Sequence, residues 1–432
     1  MKTQLPPGPR LPQAVQTLAW FTRPVPFVLR AQRQFGDVFT MRIAGESAPW
    51  VKLGHPDLVR EVFTGPADKL LAGEANEILR PVLGDRSVLL LDRAEHMRER
   101  KLILPAFHGE RMQRYGELMR DIADAEIASW PTGEELELAP RMQALTLEII
   151  IRAVFGVREA ARLAEMRTAL SELLALLTSP VAFAAVTLVG HDNAIRIGPA
   201  KRVLAAVDTL VQQEVDAHRG ADDLAERDDI LSWLLQARDE DGAPMSDAAL
   251  RDELVTLLVA GHETTATALS WAIERLLRTP ASMDRLHDEV AAGQSEYALA
   301  VAHETLRLRP VIPLVLRTLA EPMTIGGIDL PAGVKVAPSI IMVHRREDIY
   351  PDPHAFRPER FVGVKPGTYT WIPFGGGVRR CLGAAFALFE MQVVLEAVVR
   401  SAKLRAPRAR SEGVSRRAIT LAPADRTRVV AA

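Results

Sequence analysis

From about Pro56 to Arg309, apolar positions recur with helical spacing; on either side the pattern shortens into alternating or clustered runs. Asp37 to Ala44 and Trp50 to Leu53 carry strand-type residues on the two sides of the turn-forming Gly45-Glu46-Ser47-Ala48-Pro49. Met323-Thr324-Ile325 and Ile328-Asp329-Leu330 flank Gly326-Gly327, a strong hairpin signal. The clearest helix is expected from Asp247 to Arg278, opened by Ser246-Asp247 and stopped by Thr279-Pro280. At 1.5 Å per residue it would run roughly 45–50 Å, the width of a domain. Its middle, Leu254 to Gly261, is apolar all round, which places such a helix at the centre of a large protein. A last helix is expected from Leu382 to Ser401. The pattern predicts a mainly α fold with a small β portion, near residues 37–53 and 311–340. No Ser/Gly linker or internal repeat divides the chain, so one domain over residues 1–432 is expected.

Composition narrows the class. With 48% apolar and 25% charged residues in 432, the chain can bury a large core and is not disordered. The 53 basic residues are balanced by 55 acidic ones, which excludes a general binder of nucleic acid or anionic membranes. A single cysteine forbids an intramolecular disulfide and fits a reducing cytoplasm. Met1 to Arg10 has no long apolar run, so neither a signal peptide nor a membrane anchor is read there. Ala169 to Gly190 is the most apolar later stretch. Ser171, Glu172, Ser179 and Pro180 interrupt it, so it reads as a lipophilic lid or core helix rather than a membrane span. A cytoplasmic protein is expected.

The lone thiol sits in Phe374-Gly375-Gly376-Gly377-Val378-Arg379-Arg380-Cys381-Leu382-Gly383. Glycines let backbone approach closely, and the expected helix N-terminus and two arginines favour thiolate over thiol. The spacing should arise by chance on the order of once in ten million starts. Phe374, Gly375, Gly377, Arg379, Cys381 and Gly383 together strongly resemble the haem-binding loop of the cytochrome P450 superfamily. The resemblance implies the P450 fold, with a long central helix over the haem, and Cys381 as axial ligand of the haem iron.

Other segments resemble the same superfamily. Glu304-Thr305-Leu306-Arg307 puts a carboxylate and a guanidinium on one helical face, usually a solvated pair. Phe356-Arg357-Pro358-Glu359-Arg360-Phe361 is similar to the family segment whose arginine joins them, which implies a buried network of Glu304, Arg307 and Arg360. Ala260-Gly261-His262-Glu263-Thr264-Thr265 matches the oxygen-side motif of the central helix. There Thr264 would hydrogen-bond the bound oxygen and Glu263 would relay protons; alternatively Thr264 merely bonds back to the carbonyl four residues earlier. A zinc-protease reading of His262-Glu263 fails because position 266 is Ala266. His96 and Arg100, one turn apart, are similar to the pair that holds a haem propionate, and Arg317 and Arg379 fall where further propionate ligands occur.

The resemblance implies haem b (iron protoporphyrin IX) as cofactor and O2 as co-substrate. Electrons would come from NAD(P)H indirectly, through a ferredoxin and ferredoxin reductase or similar. Hydroxylation or epoxidation of a lipophilic small molecule is expected. The pocket would be drawn from Leu70 to Leu91, Thr168 to Gly190, Leu254 to Thr264, Val311 to Leu316 and Ile419. An acidic donor is expected to meet Arg98, Lys101, Arg111, Arg114, Arg345 and Arg380. The Arg-rich stretch from Arg405 to Arg428 reads as a solvated hairpin edge, not a nucleic-acid arm. A peroxide-driven peroxygenase, a non-oxygenating enzyme of the same fold and a haem sensor without turnover remain as alternatives.

Overall fold

The computed structural model describes residues 5–46, 48–107, 111–178 and 199–431. Its axis is a helix from Asp247 to Leu277, started where the Ser246 hydroxyl accepts the Ala249 N–H at 3.2 Å. Because this helix is apolar on most sides, it must be covered on most sides. Helices Leu138–Phe155, Glu296–Leu308 and Ala384–Ser401 pack around it, and Arg111–Ala128 lies outside the last of these. Their facing side chains form one continuous core.

A five-stranded sheet stands beside this body, in the order Val38–Met41, Trp50–Leu53, Lys335–Pro338, Arg317–Leu319, Leu70–Leu71. Trp50–Leu53 and Lys335–Pro338 run parallel and join the two ends of the chain; the other pairings are antiparallel. The expected Gly-Gly hairpin forms with Ile325 opposite Ile328 and positive φ at both glycines. A second hairpin pairs Val414–Arg417 with Thr420–Pro423. Near the C-terminus Arg428–Ala431 runs between Glu135–Glu137 and Leu404–Arg405.

The fold is mainly helical with a small β portion, as the sequence predicts, and the central helix keeps its expected bounds to one residue. One reading changes and another holds in part. The last helix begins at Ala384 with Gly383 as its N-cap, so Cys381 lies ahead of the first turn. Of the C-terminal arginines, Arg405, Arg408, Arg410, Arg426 and Arg428 are exposed as a solvated edge requires, whereas Arg416 and Arg417 are half-buried. Arg416 lies over the rings of Trp20 and Phe21, while Arg426 and Arg428 pair with Glu137 and Glu135. No helix among the described residues is long and apolar enough to cross a membrane, and residues 179–190 of the apolar stretch lie outside them.

Candidate functional site

The thiol loop is fixed by its own backbone. Gly375 N–H donates to Ile372 O at 3.0 Å, Arg380 N–H to Gly377 O at 3.1 Å, and Cys381 N–H to Phe374 O at 3.0 Å. The Phe374 ring meets Trp371 edge-on at 5.8 Å. Gly377 has φ +63°, and a Cβ there would lie 2.0 Å from Phe63 O; only glycine lets the loop press against the Pro56–Thr64 helix. Cys381 presents surface to solvent, yet burial dominates its electrostatics, as for a thiol on the floor of a recess. Burial pushes the thiol up, against the Gly383 N–H and the charges of Arg100 and Arg380, which lower it. Desolvation thus outweighs the nearby positive charge that the sequence reading emphasises.

Beside the thiol, cations converge. His96 is buried and held down to about 3, first by desolvation and then by Arg379, Arg100 and Arg317. These four side chains come from the Arg93–Ile103 helix, the Arg317–Leu319 strand and the thiol loop. One carboxylate answers them: Asp92 bonds Arg379 at 2.5 Å and also accepts the N–H groups of Ala72 and Gly73 at 2.9 Å and of Glu74 at 3.0 Å. Arg379 further donates to Val88 O at 3.1 Å and to Leu91 O. Arg100 and Arg317 have no carboxylate partner among the described residues, and Arg317 donates only to Leu316 O at 2.7 Å. Three guanidiniums against one carboxylate leave two positive charges in a half-buried site. A flat ligand bearing two carboxylates, with a metal offered to a sulfur, fits that donor set; a haem is such a group.

The central helix opens toward one side. Ala260 is exposed, and Leu257 and Thr264 above and below it are half-buried, as are Val259, Gly261 and Glu263, so a stripe of an otherwise buried helix is uncovered around Ala260. Thr264 donates to Ala260 O at 2.9 Å, the local bond that softens a helix. The two residues beside this stripe turn elsewhere. A Cβ on Gly261 would meet Ile150 at 3.0 Å, so this glycine serves close contact with the Leu138–Phe155 helix. Glu263 accepts the Gln143 side-chain N–H at 2.6 Å on that same helix, and its other oxygen is buried without a partner. Burial pushes the Glu263 carboxyl up, offset by Gln143 and Arg417.

Of the expected ionic network, Glu304 and Arg307 form a fully buried pair, while Arg360 is half-buried at its edge. Arg307 grips Glu304 through two bonds of 2.6 and 2.8 Å, both side chains fully buried, and its remaining N–H groups reach His344 O, Pro353 O and Ala355 O. The Arg357 N–H adds a bond to Glu304 at 2.8 Å, whereas Arg360 stands 3.6 Å away and donates to Pro351 O and Asp352 O. His344 links this network to the thiol loop: its Nε2 accepts the Ile372 N–H at 2.8 Å.

Asp92, Gln143 and His344 were not singled out from sequence, because their partners come from distant segments. The surface cations also differ from expectation. Arg98 pairs with Asp239, Lys101 with Glu240 and Arg114 with Asp228. Arg111, half-buried, lies over Trp233 at 4.4 Å, and Arg345 is buried against Leu308 O. Arg380 is exposed beside the thiol, with no ion pair among the described residues.

A family model described as Cytochrome P450 matches residues 6–423. A Mycobacterium tuberculosis protein named as a putative cytochrome P450, 135B1, is 43% identical over 407 residues, covering 93% of this chain and 85% of the relative. Another so named, 137, from the same organism is 37% identical over 403 residues, covering 93% and 84%. The retinoic acid-bound cyanobacterial CYP120A1 shares the fold, with a TM-score of 0.84, 24% identity and full coverage of both chains.

Proposed function

The chain belongs to the cytochrome P450 family, whose members are in general haem-thiolate monooxygenases, and we propose that this one inserts one atom of O2 into a lipophilic organic substrate with electrons from separate proteins. The observation that carries the reading is the lone thiol beside a cluster with two surplus positive charges. Cys381 would ligate the iron, Phe374, Gly375 and Gly383 would shape the sulfur's surroundings, and His96, Arg100, Arg317 and Arg379 would hold the propionates. When bound, the haem supplies the redox chemistry that cleaves dioxygen.

The chain's own residues then position and protonate. Ala260 and Gly261 would leave room over the metal, Ala260 by its small side chain and Gly261 by letting the helix settle against Ile150. The Thr264 hydroxyl, now bonded to Ala260 O, would offer its proton on the open side of the helix, and the half-buried Glu263 carboxyl would hold a further proton on the same turn. A lipophilic substrate is supported by the apolar flank of Leu257 and Ala260, by the exposed Ile419 at the hairpin tip, and by the retinoic acid of the solved neighbour. A ferredoxin with its reductase is the proposed donor, meeting the face around Arg380.

The test is spectroscopic. The reduced, carbon-monoxide-treated protein should show the red-shifted band of thiolate-ligated haem, and Cys381→Ala should lose it. A wild-type spectrum without that band would overturn the reading.

A further inference from the structure

A second cluster of unmatched donors lies where the N-terminal helix, the sheet and the C-terminal hairpin meet. Lys52 is fully buried on a strand paired on both sides, and its side chain leaves the sheet on the same face as that of Trp50. Its ammonium stands 4.3 Å from the Trp20 ring centre and 5.2 Å from that of Trp50. The two indoles meet edge-on at 6.2 Å. From the hairpin, Arg416 reaches the same Trp20 ring at 4.9 Å and spends its Nε on Ala418 O. Four buried donor atoms have no acceptor here: Trp20 Nε1, Trp50 Nε1, Lys52 Nζ and Arg416 Nη1. No carboxylate among the described residues pairs with Lys52 or Arg416.

Aromatic faces return less to a cation than burying the ion and stranding its donors cost. A neutral amine at Lys52 would offer one lone pair to three remaining donors. A water would offer two and cancel no charge. A monovalent anion accepts from several N–H groups at once and offsets the mutual repulsion by which Arg416 disfavours a charged Lys52. We propose that Trp20, Trp50, Lys52 and Arg416 form a binding site for one small inorganic anion of halide size, independent of the oxygenation reaction. The burial of Lys52, Trp20 and Trp50 favours a small anion over a larger organic one. Occupancy would staple the hairpin to the sheet. The same hairpin is tied to the central helix by the Trp271 Nε1–H bond to Leu421 O at 2.9 Å, so the anion would stiffen one wall of the site.

The experiment is thermal unfolding of the haem-loaded protein at fixed ionic strength in chloride, bromide or gluconate, with crystals grown in bromide. Saturating chloride or bromide should raise Tm by about 2–3 °C over gluconate, and an anomalous peak should lie within hydrogen-bond reach of Lys52 Nζ. Lys52→Met and, separately, Arg416→Gln should abolish the dependence while keeping the carbon-monoxide band. Equal Tm in all three salts, a water at the position, or an undiminished halide effect in both variants would overturn the site.

Discussion

At the scale of single residues, the energetics of Glu304 differ from those of a surface pair. Its carboxylate has no access to water, and two Arg307 bonds with one backbone N–H replace hydration. Removing Arg307 would strand a buried charge, a loss of about 3–5 kcal/mol. Arg307→Ala should therefore yield little folded, haem-loaded protein, and Arg307→Lys little more, because one ammonium cannot replace a fork bonded on all sides. Arg360→Ala should cost clearly less, since Arg360 stands farther from Glu304 and is partly exposed. Denaturant unfolding of the variants checks the order; equal losses would contradict it. Thr264 poses the converse case, in which the fold survives and chemistry fails. Thr264→Ala should keep the carbon-monoxide band and release more of its reducing equivalents as hydrogen peroxide, read as peroxide formed per NAD(P)H consumed. Unchanged coupling would remove Thr264 from proton delivery.

At the scale of elements, the central helix grips the loop that Arg379 also holds. Asp252 accepts the Arg86 N–H, Glu253 accepts the Val88 N–H and Thr256 donates to Ser87, all beside the carbonyls of Val88 and Leu91 that Arg379 takes. Glu253 is buried, and desolvation pushes its carboxyl well above the usual range, helped by Glu99 and Asp252. Its folded pKa is raised, so its contribution to stability is complete below about 4.3 and is lost as pH climbs through the raised value. Glu253→Gln keeps an acceptor for Val88 and cannot ionise. The variant should match wild type in acid and become the more stable protein toward alkaline pH, the gap growing at up to about 1.4 kcal/mol per pH unit within the window. Unfolding both proteins across pH measures it; parallel curves would mean the carboxyl ionises freely. The helix itself was legible because its Ser246 cap, apolar run and Thr279-Pro280 stop are local. The Gly326-Gly327 hairpin was legible for the same reason. The pairing of Trp50–Leu53 with Lys335–Pro338 was not, since strand composition says nothing of a partner at the far end of the chain. The site divides likewise: its residue types are written in short motifs, whereas the counter-charge at Asp92 and the bond from Gln143 to Glu263 exist only once distant segments meet.

At the scale of the whole molecule, charge is distributed against the simple reading of the sequence. The formal net charge is −2, while three guanidiniums gather beside the thiol and the acidic residues neutralise much of the outer surface. Of the six cations expected to steer an acidic donor, Arg98, Lys101 and Arg114 are already paired, Arg111 covers Trp233 and Arg345 is buried. A paired surface cation projects little field beyond a Debye length of about 8 Å at physiological salt. Long-range attraction to an acidic ferredoxin should then be modest, and specificity should rest on short-range contact near Arg380, the proposed docking face beside the thiol. Stopped-flow reduction of the haem-loaded protein by a ferredoxin is expected to slow only about two- to fivefold between low and high salt. Arg380→Glu should slow it by about tenfold at low salt, whereas Lys101→Glu should have a smaller effect, its partner Glu240 being highly exposed and free to turn away. A steep fall with salt would mean that docking breaks the three surface pairs and frees their cations. Indifference to both salt and Arg380→Glu would place the donor elsewhere on the molecule.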